Sequence, residues 1–154
     1  KEAQKQNIKT GVYHYFRPNE NWKKQFENFH KNNSEIGELP PVIDIEQKGD
    51  IRITKLRKQV LKFAKEIEKN YNIKPIIYTQ QKFYNMYFAG HMGEYEFWIA
   101  RQSGITTQPK NNEPQKEPFL LDFKCPLIWQ YSGTGVINGI NAPVDLNIIR
   151  EKIW

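Results

Sequence analysis

A chain of 154 residues is enough for one ordinary domain or for most of a larger one. Its apolar share of 38% is low but compatible with a core, and its aromatic share of 14% is high, which suits core packing and also sites that grip sugar rings. The net charge of +6 favours anionic partners without choosing among them, the single Cys125 excludes a disulfide framework or a multi-cysteine metal cluster, and no apolar run is long enough to cross a membrane.

The opening Lys-Glu-Ala-Gln-Lys-Gln reads as the last turns of a helix, as though the chain begins mid-domain, and carries no secretory leader. Gly11 to Phe16 is aromatic and β-branched and stops at Arg17-Pro18, a strand. Trp22, Phe26 and Phe29 recur at helical spacing between Asn21 and Asn33. Leu39-Pro40-Pro41 breaks that helix and leads into Val42-Ile43-Asp44-Ile45-Glu46, a second strand. Thr54 is the expected cap of the next helix, whose stripe of Leu56, Val60, Leu61, Phe63, Ala64 and Ile67 runs to about Asn70.

A third strand covers Ile73 to Thr79, and a short helix spans Gln81 to Phe88 before Gly90. Phe97 to Arg101 is a fourth strand, followed from Ser103 to Pro118 by a polar surface loop. Leu127 to Tyr131 is a fifth, ending in a turn at Ser132-Gly133-Thr134-Gly135. Ala142 to Leu146 is a sixth, with a helical segment expected after it. Cys125, at the start of an apolar run, is expected to be a buried, inert thiol. No internal repeat is visible, and the reading is of one domain over residues 1–154. Strand and helix alternating in this way imply parallel strands joined by crossovers, in a barrel or an open sheet, with the regularity lost near the C-terminus.

The most informative segment is Pro41 to Glu46. Period-two alternation puts Val42, Asp44 and Glu46 on one face and Ile43 and Ile45 on the other. Internal parallel strands are normally apolar on both faces, so two carboxylates at a strand's carboxyl end mark a place where ligands bind. They stand ~7 Å apart along the strand and resist simultaneous ionisation when sheltered. One can hold its proton near neutral pH as a general acid while the other stabilises positive charge, the requirement of glycoside hydrolysis. The competing reading is a solvated pair bridged to Lys48 or Arg52.

Other chemistries find less support. His14, His30 and His91 have no metal-ligand spacing, and metal binding by Asp44 and Glu46 finds only Asp145 as a further strand-end carboxylate. No cofactor is expected. Ser34, Ser103 and Ser132 sit in no nucleophile elbow, and Ser132 to Gly135 opens no helix and lacks the phosphate-binding lysine. No basic stripe interleaved with rings argues for nucleic acid.

Six segments, Gly11 to Pro18, Pro41 to Glu46, Pro75 to Thr79, Phe97 to Arg101, Leu127 to Ser132 and Val144 to Asn147, together resemble the family 25 glycoside hydrolases, the Chalaropsis-type lysozymes. The resemblance implies an irregular TIM-like (β/α)5(β)3 barrel that cleaves the β-1,4 bond between N-acetylmuramic acid and N-acetylglucosamine with retention, the substrate's acetamido oxygen serving as nucleophile. It implies Glu46 as general acid/base, Asp44 as the group that orients the acetamido, and Asp145 as a supporting strand-end carboxylate. Tyr13, Tyr78, Trp98, Trp129 and Tyr131 lie on segments that furnish sugar-contacting rings, with core packing the competing role for each. His14 is a further candidate for either place.

The implied partner is peptidoglycan glycan, with no nucleic acid and no membrane span, acting as a monomer that is secreted or faces the cell wall. The alternative is a wall- or sugar-binding module that kept the fold and lost turnover. The family's opening strand with Asp-Val-Ser, its helix and its second strand have no counterpart upstream of Gly11. The barrel is therefore expected to be incomplete at the N-terminus in this chain, as part of a longer protein.

Overall fold

The computed structural model describes residues 2–101, 114 and 116–150. After the short helix α1 (Glu2–Lys5), the elements run β1 (Tyr13–Tyr15), α2 (Trp22–Asn32), β2 (Val42–Asp44), α3 (Ile53–Tyr71), β3 (Ile76–Gln80), α4 (Gln81–Tyr87), β4 (Phe97–Ala100), β5 (Ile128–Gly135) and β6 (Val144–Ile149). The six strands form one sheet in chain order, β1 through β5 parallel and β6 antiparallel to β5. Helices thus follow β1, β2 and β3, and β6 returns directly beside β5 at the C-terminal end. The fold is the mixed α/β architecture expected, with β1 and β6 at the edges of an unclosed sheet.

Two helices show why the chain folds this way locally. Asn21 caps α2, its side-chain oxygen accepting from the backbone N–H groups of Lys23 and Lys24. α3 ends at Asn72, whose left-handed φ of 54° lets its N–H return to the Glu68 carbonyl. The expected cap Thr54 lies one residue inside α3; Arg52 takes the cap position and makes no side-chain bond there.

The apolar stripe of α3, Leu56, Val60, Phe63, Ala64 and Ile67, is buried against Ile43, Ile45, Ile77, Phe97 and Ile99 of the strands and their ends. Phe63 is the hub of a ring cluster, with the centroids of His14, Phe16, Phe26 and Phe29 at 4.8, 5.6, 6.0 and 6.1 Å. Burial of this kind contributes roughly 1.5–3 kcal/mol per large side chain before entropy is counted.

Three local expectations are corrected. Ser132 to Gly135 is not a turn but the continuation of β5, which bends through register shifts and crosses β6 closely at Gly135. A Cβ on Gly135 would fall 2.4 Å from Leu146 Cγ, so the crossing needs a residue without a side chain. Cys125 is exposed, because it ends the exposed and half-buried stretch from Leu121, just before the buried run that begins at Pro126. The segment after the sixth strand continues as strand to Ile149 rather than turning helical; anything beyond residue 150, and most of the polar stretch 103–118, lies outside the described residues. Among the described residues no helix is long and apolar enough to cross a membrane.

Candidate active site

Strand register sorts the candidate residues. Tyr15, Asp44, Tyr78, Trp98 and Ile128 stand side by side across β1 to β5 and so share the face away from the helices. Near the carboxyl ends of the strands that face holds a cavity of about 360 Å³, lined by Tyr13, Val42, Asp44, Glu46, Tyr78, Trp98, Gln130 and Asp145. The two carboxylates expected from the acidic strand therefore face one hollow, and the late aspartate from β6 joins them.

The backbone beneath the pair is fixed from both sides. The Phe16 N–H donates to the Asp44 carbonyl at 2.8 Å, the Ile45 N–H donates to the Tyr78 carbonyl at 3.0 Å, and the buried Thr79 hydroxyl donates to the Ile45 carbonyl at 2.6 Å. Glu46 follows immediately, held at the rim where the strand runs out. Such placement by the ladder of two neighbouring strands is more precise than a free loop provides.

Asp44 is half-buried, and its Oδ1 has no hydrogen-bond partner among the described residues. Burial first, and the neighbouring Glu46 second, push its carboxyl up to about 6. Glu46 accepts a 3.5 Å contact from Gln80 Nε2. Neither carboxylate is in any ion pair among the described residues, and Lys48, the expected bridge, instead donates to the carbonyls of Gly49 and Ile51. The carboxylates keep their charge problem, which is what makes them chemically useful.

Tyr78 donates its hydroxyl to Gln130 Oε1 at 2.7 Å, and burial together with Glu46, Asp44 and Asp145 pushes its pKa up to about 12. It is a neutral phenol at any ordinary pH. Trp98 packs edge-on against Tyr78 at 5.3 Å and donates its indole N–H to Asn147 Oδ1 at 2.9 Å, tying β4 to β6. Tyr13, 70% exposed on the edge strand, forms the outer rim. Apolar ring faces beside hydrogen-bonding groups suit a pyranose.

Three of the proposed contacts do not reach this hollow. His14 alternates with Tyr13 and points to the helix side, stacked on Phe63, with Nε2 3.0 Å from Gln25 Oε1. That oxygen also accepts the Arg17 N–H, so His14 Nε2 carries the hydrogen, and burial holds the ring below its ordinary pKa. Trp129 is 3% exposed, in register with Ile99 and donating to the Arg101 carbonyl, on the face opposite Gln130. Tyr131 lies against Trp129 at 5.8 Å.

The residue that faces the site from β5 is Gln130, passed over in the sequence for the two rings flanking it. One signal was available: Gln130 is the amide between Trp129 and Tyr131, on the opposite phase to both rings. A second hollow of about 440 Å³ adjoins the first through Glu46 and Tyr78, and its other lining residues, Gln80, Gln81, Lys82, Ala100 and Arg101, were not singled out either. Among the described residues no three His, Cys, Asp or Glu side chains are grouped as the ligands of a metal ion.

The model for the glycosyl hydrolases family 25 matches residues 1–140. The chain is 32% identical over 152 residues to the protein YegX of Escherichia coli strain K12, covering 98% of this chain and 52% of that protein. It is 27% identical to the autolytic lysozyme of Clostridium acetobutylicum, covering 98% of this chain and 42% of the lysozyme. The chain thus spans about half the length of the curated relatives it matches.

Among solved structures, the spore cortex lytic enzyme SleM of Clostridium perfringens superposes with a TM-score of 0.77 at 23% identity, covering 95% of this chain and 51% of that one. A family 25 glycosyl hydrolase from Bacillus anthracis gives 0.76 at 24%, covering 97% and 68%. These structures share the fold, and with the family match over nine-tenths of its length the chain belongs to glycosyl hydrolase family 25.

Proposed function

We propose that this chain carries the acidic centre of a peptidoglycan muramidase, which cleaves the β-1,4 bond between N-acetylmuramic acid and N-acetylglucosamine with retention. The observation that supports it most is the convergence of Asp44, Glu46 and Asp145, with a neutral Tyr78, in one sugar-sized hollow. In this reading Glu46, at the rim and beside the second hollow, protonates the leaving oxygen. The substrate's acetamido oxygen attacks the anomeric carbon, and Asp44 accepts the acetamido N–H and stabilises the positive charge that develops. Glu46 then takes a proton from water as that water opens the intermediate from the leaving-group side, which restores the starting configuration. Asp145 and the Tyr78–Gln130 pair supply charge and a fixed donor at the same wall.

The electrostatics bear on Asp44. In the free chain its carboxyl is pushed up, to about 6, by burial and by Glu46. An acetamido N–H seated on Asp44 favours the carboxylate form, which can accept that N–H and stabilise positive charge.

Clearing of purified peptidoglycan, read as falling turbidity, tests the assignment. The chain should clear it and Glu46→Gln should bind the glycan without clearing it. Binding without clearing by the unsubstituted chain would favour a wall-binding module of the same fold. The rate should rise as pH rises through about 6, since Asp44 then becomes the carboxylate that accepts the acetamido N–H; a rate flat across that range would remove this role for Asp44. Action on this substrate places the working protein outside the membrane, at the cell wall.

A further inference from the structure

The two hollows that meet at Glu46 and Tyr78 differ in charge. One side carries Asp44 and Asp145. The other carries Lys82 and Arg101 among the neutral Gln80 and Gln81, and among the described residues the shared Glu46 is its only carboxylate. Arg101 is held in place by neutral acceptors: its Nη1 donates to Gln81 Oε1 at 3.1 Å and to the Glu117 carbonyl at 2.7 Å. These bonds fix the guanidinium without neutralising it. Lys82 is exposed, and among the described residues neither cation is in an ion pair. These two cations line a cavity continuous with the acidic centre.

A positively charged lobe beside an acidic one sorts a polymer whose units differ in charge. In peptidoglycan the glucosamine unit is neutral, while the muramic acid carries a lactyl ether that ends in a carboxylate or bears a peptide with carboxylates of its own. We infer that the Lys82–Arg101 lobe, on the leaving-group side of Glu46, receives a carboxylate of the muramic acid that follows the departing glucosamine, and so sets the register in which the muramic acid–glucosamine bond meets Glu46. The inference rests on the muramidase reading for its substrate. A carboxylate on a fixed guanidinium forms a charge-assisted hydrogen bond, and a mobile lysine adds a second, screened attraction. Uniform attraction by the net charge would not discriminate in this way, because it acts on any anion at any face.

The test compares binding of three oligosaccharides, in the Glu46→Gln chain so that no bond is cut. The first is a muropeptide-bearing glycan, the second the same glycan stripped of peptide so that each lactyl carboxylate is free, and the third a chitooligosaccharide with no carboxylate. We expect the carboxylated ligands to bind about 5-fold or more tighter than the neutral one at low salt, the gap closing at about 0.5 M salt. Adding Lys82→Glu should bring the ratio to about 1 or below, while Lys82→Arg should keep it, an outcome that a merely structural lysine would not produce. Preference kept by the stripped glycan assigns the lactyl carboxylate; preference seen only with peptide assigns the stem.

Equal affinity for the chitooligosaccharide, or a ratio untouched by Lys82→Glu, overturns the inference. If the unsubstituted chain clears peptidoglycan while the ratio is 1, this inference alone fails. If the ratio holds and nothing is cleared, the catalytic reading alone fails.

Discussion

The sheet has two faces, built from alternate residues of the same strands. On the helix side, Ile43, Ile77 and Ile99 join the core around Phe63, and His14 there is hydrogen-bonded to Gln25 with its pKa lowered by burial. On the other side, one position away in each strand, stand Asp44, Tyr78 and Trp98, with Asp44 Oδ1 left without a hydrogen-bond partner among the described residues. A shift of one residue separates a face that stabilises the fold from a face that holds unresolved charge. Stability and chemistry therefore share the strands yet are separable by substitution, since neighbouring residues of one strand do not touch each other's surroundings.

The largest expected effect breaks the helix side. Phe63→Ala removes the hub of the ring cluster and should cost about 3–5 kcal/mol, enough to unfold much of the chain in a urea titration. On the other face, Glu46→Gln should lower the clearing rate about 10³-fold with the melting temperature nearly unchanged. A comparable fall in both quantities for either substitution would dissolve the distinction between the faces.

Asp44→Asn sharpens it in the opposite direction. A folded-state pKa raised from 3.8 to about 6 means that the folded chain holds the proton more tightly than the unfolded one. The stability this adds is complete below pH 3.8 and is lost as pH rises through about 6. At pH 7 the substitution should therefore stabilise the fold by about 1 kcal/mol, after discounting for a half-exposed group, while activity falls. Melting curves at pH 4 and pH 7 check this, and a gain at pH 4 as large as that at pH 7 would contradict it.

His14 should show the reverse slope. Burial lowers its pKa below 6.5, so its contribution is present above that pH and is lost as pH falls through the folded value. Replacing it with Gln should flatten the acid side of the stability profile. The smallest effect belongs to Trp98→Phe, which keeps the ring against Tyr78 but loses the bond to Asn147 and should cost about 1 kcal/mol.

Much of this was legible in the chain itself. Period-two and helical spacing, with Pro40, Pro41 and Gly90 as breaks, located all six strands and the three longer helices to within a few residues, because local propensity and burial pattern agreed there. Pro41 to Glu46 pointed to the candidate site, since carboxylates conflict with a buried parallel strand unless something binds them. What the spacing could not provide was phase. Tyr13-His14-Tyr15 is aromatic on either phase, and Trp129-Gln130-Tyr131 can turn either its rings or its amide inward, so spacing alone did not decide that His14 and Trp129 turn away from the hollow while Gln130 turns in. Only pairing across strands, with Asp44 level with Tyr78 and Tyr78 level with Trp98, decided which face each side chain occupies. Only the tertiary fold, too, set Lys82 and Arg101 beside Glu46, because a charge separated by many residues becomes a neighbour through the sheet and not along the chain.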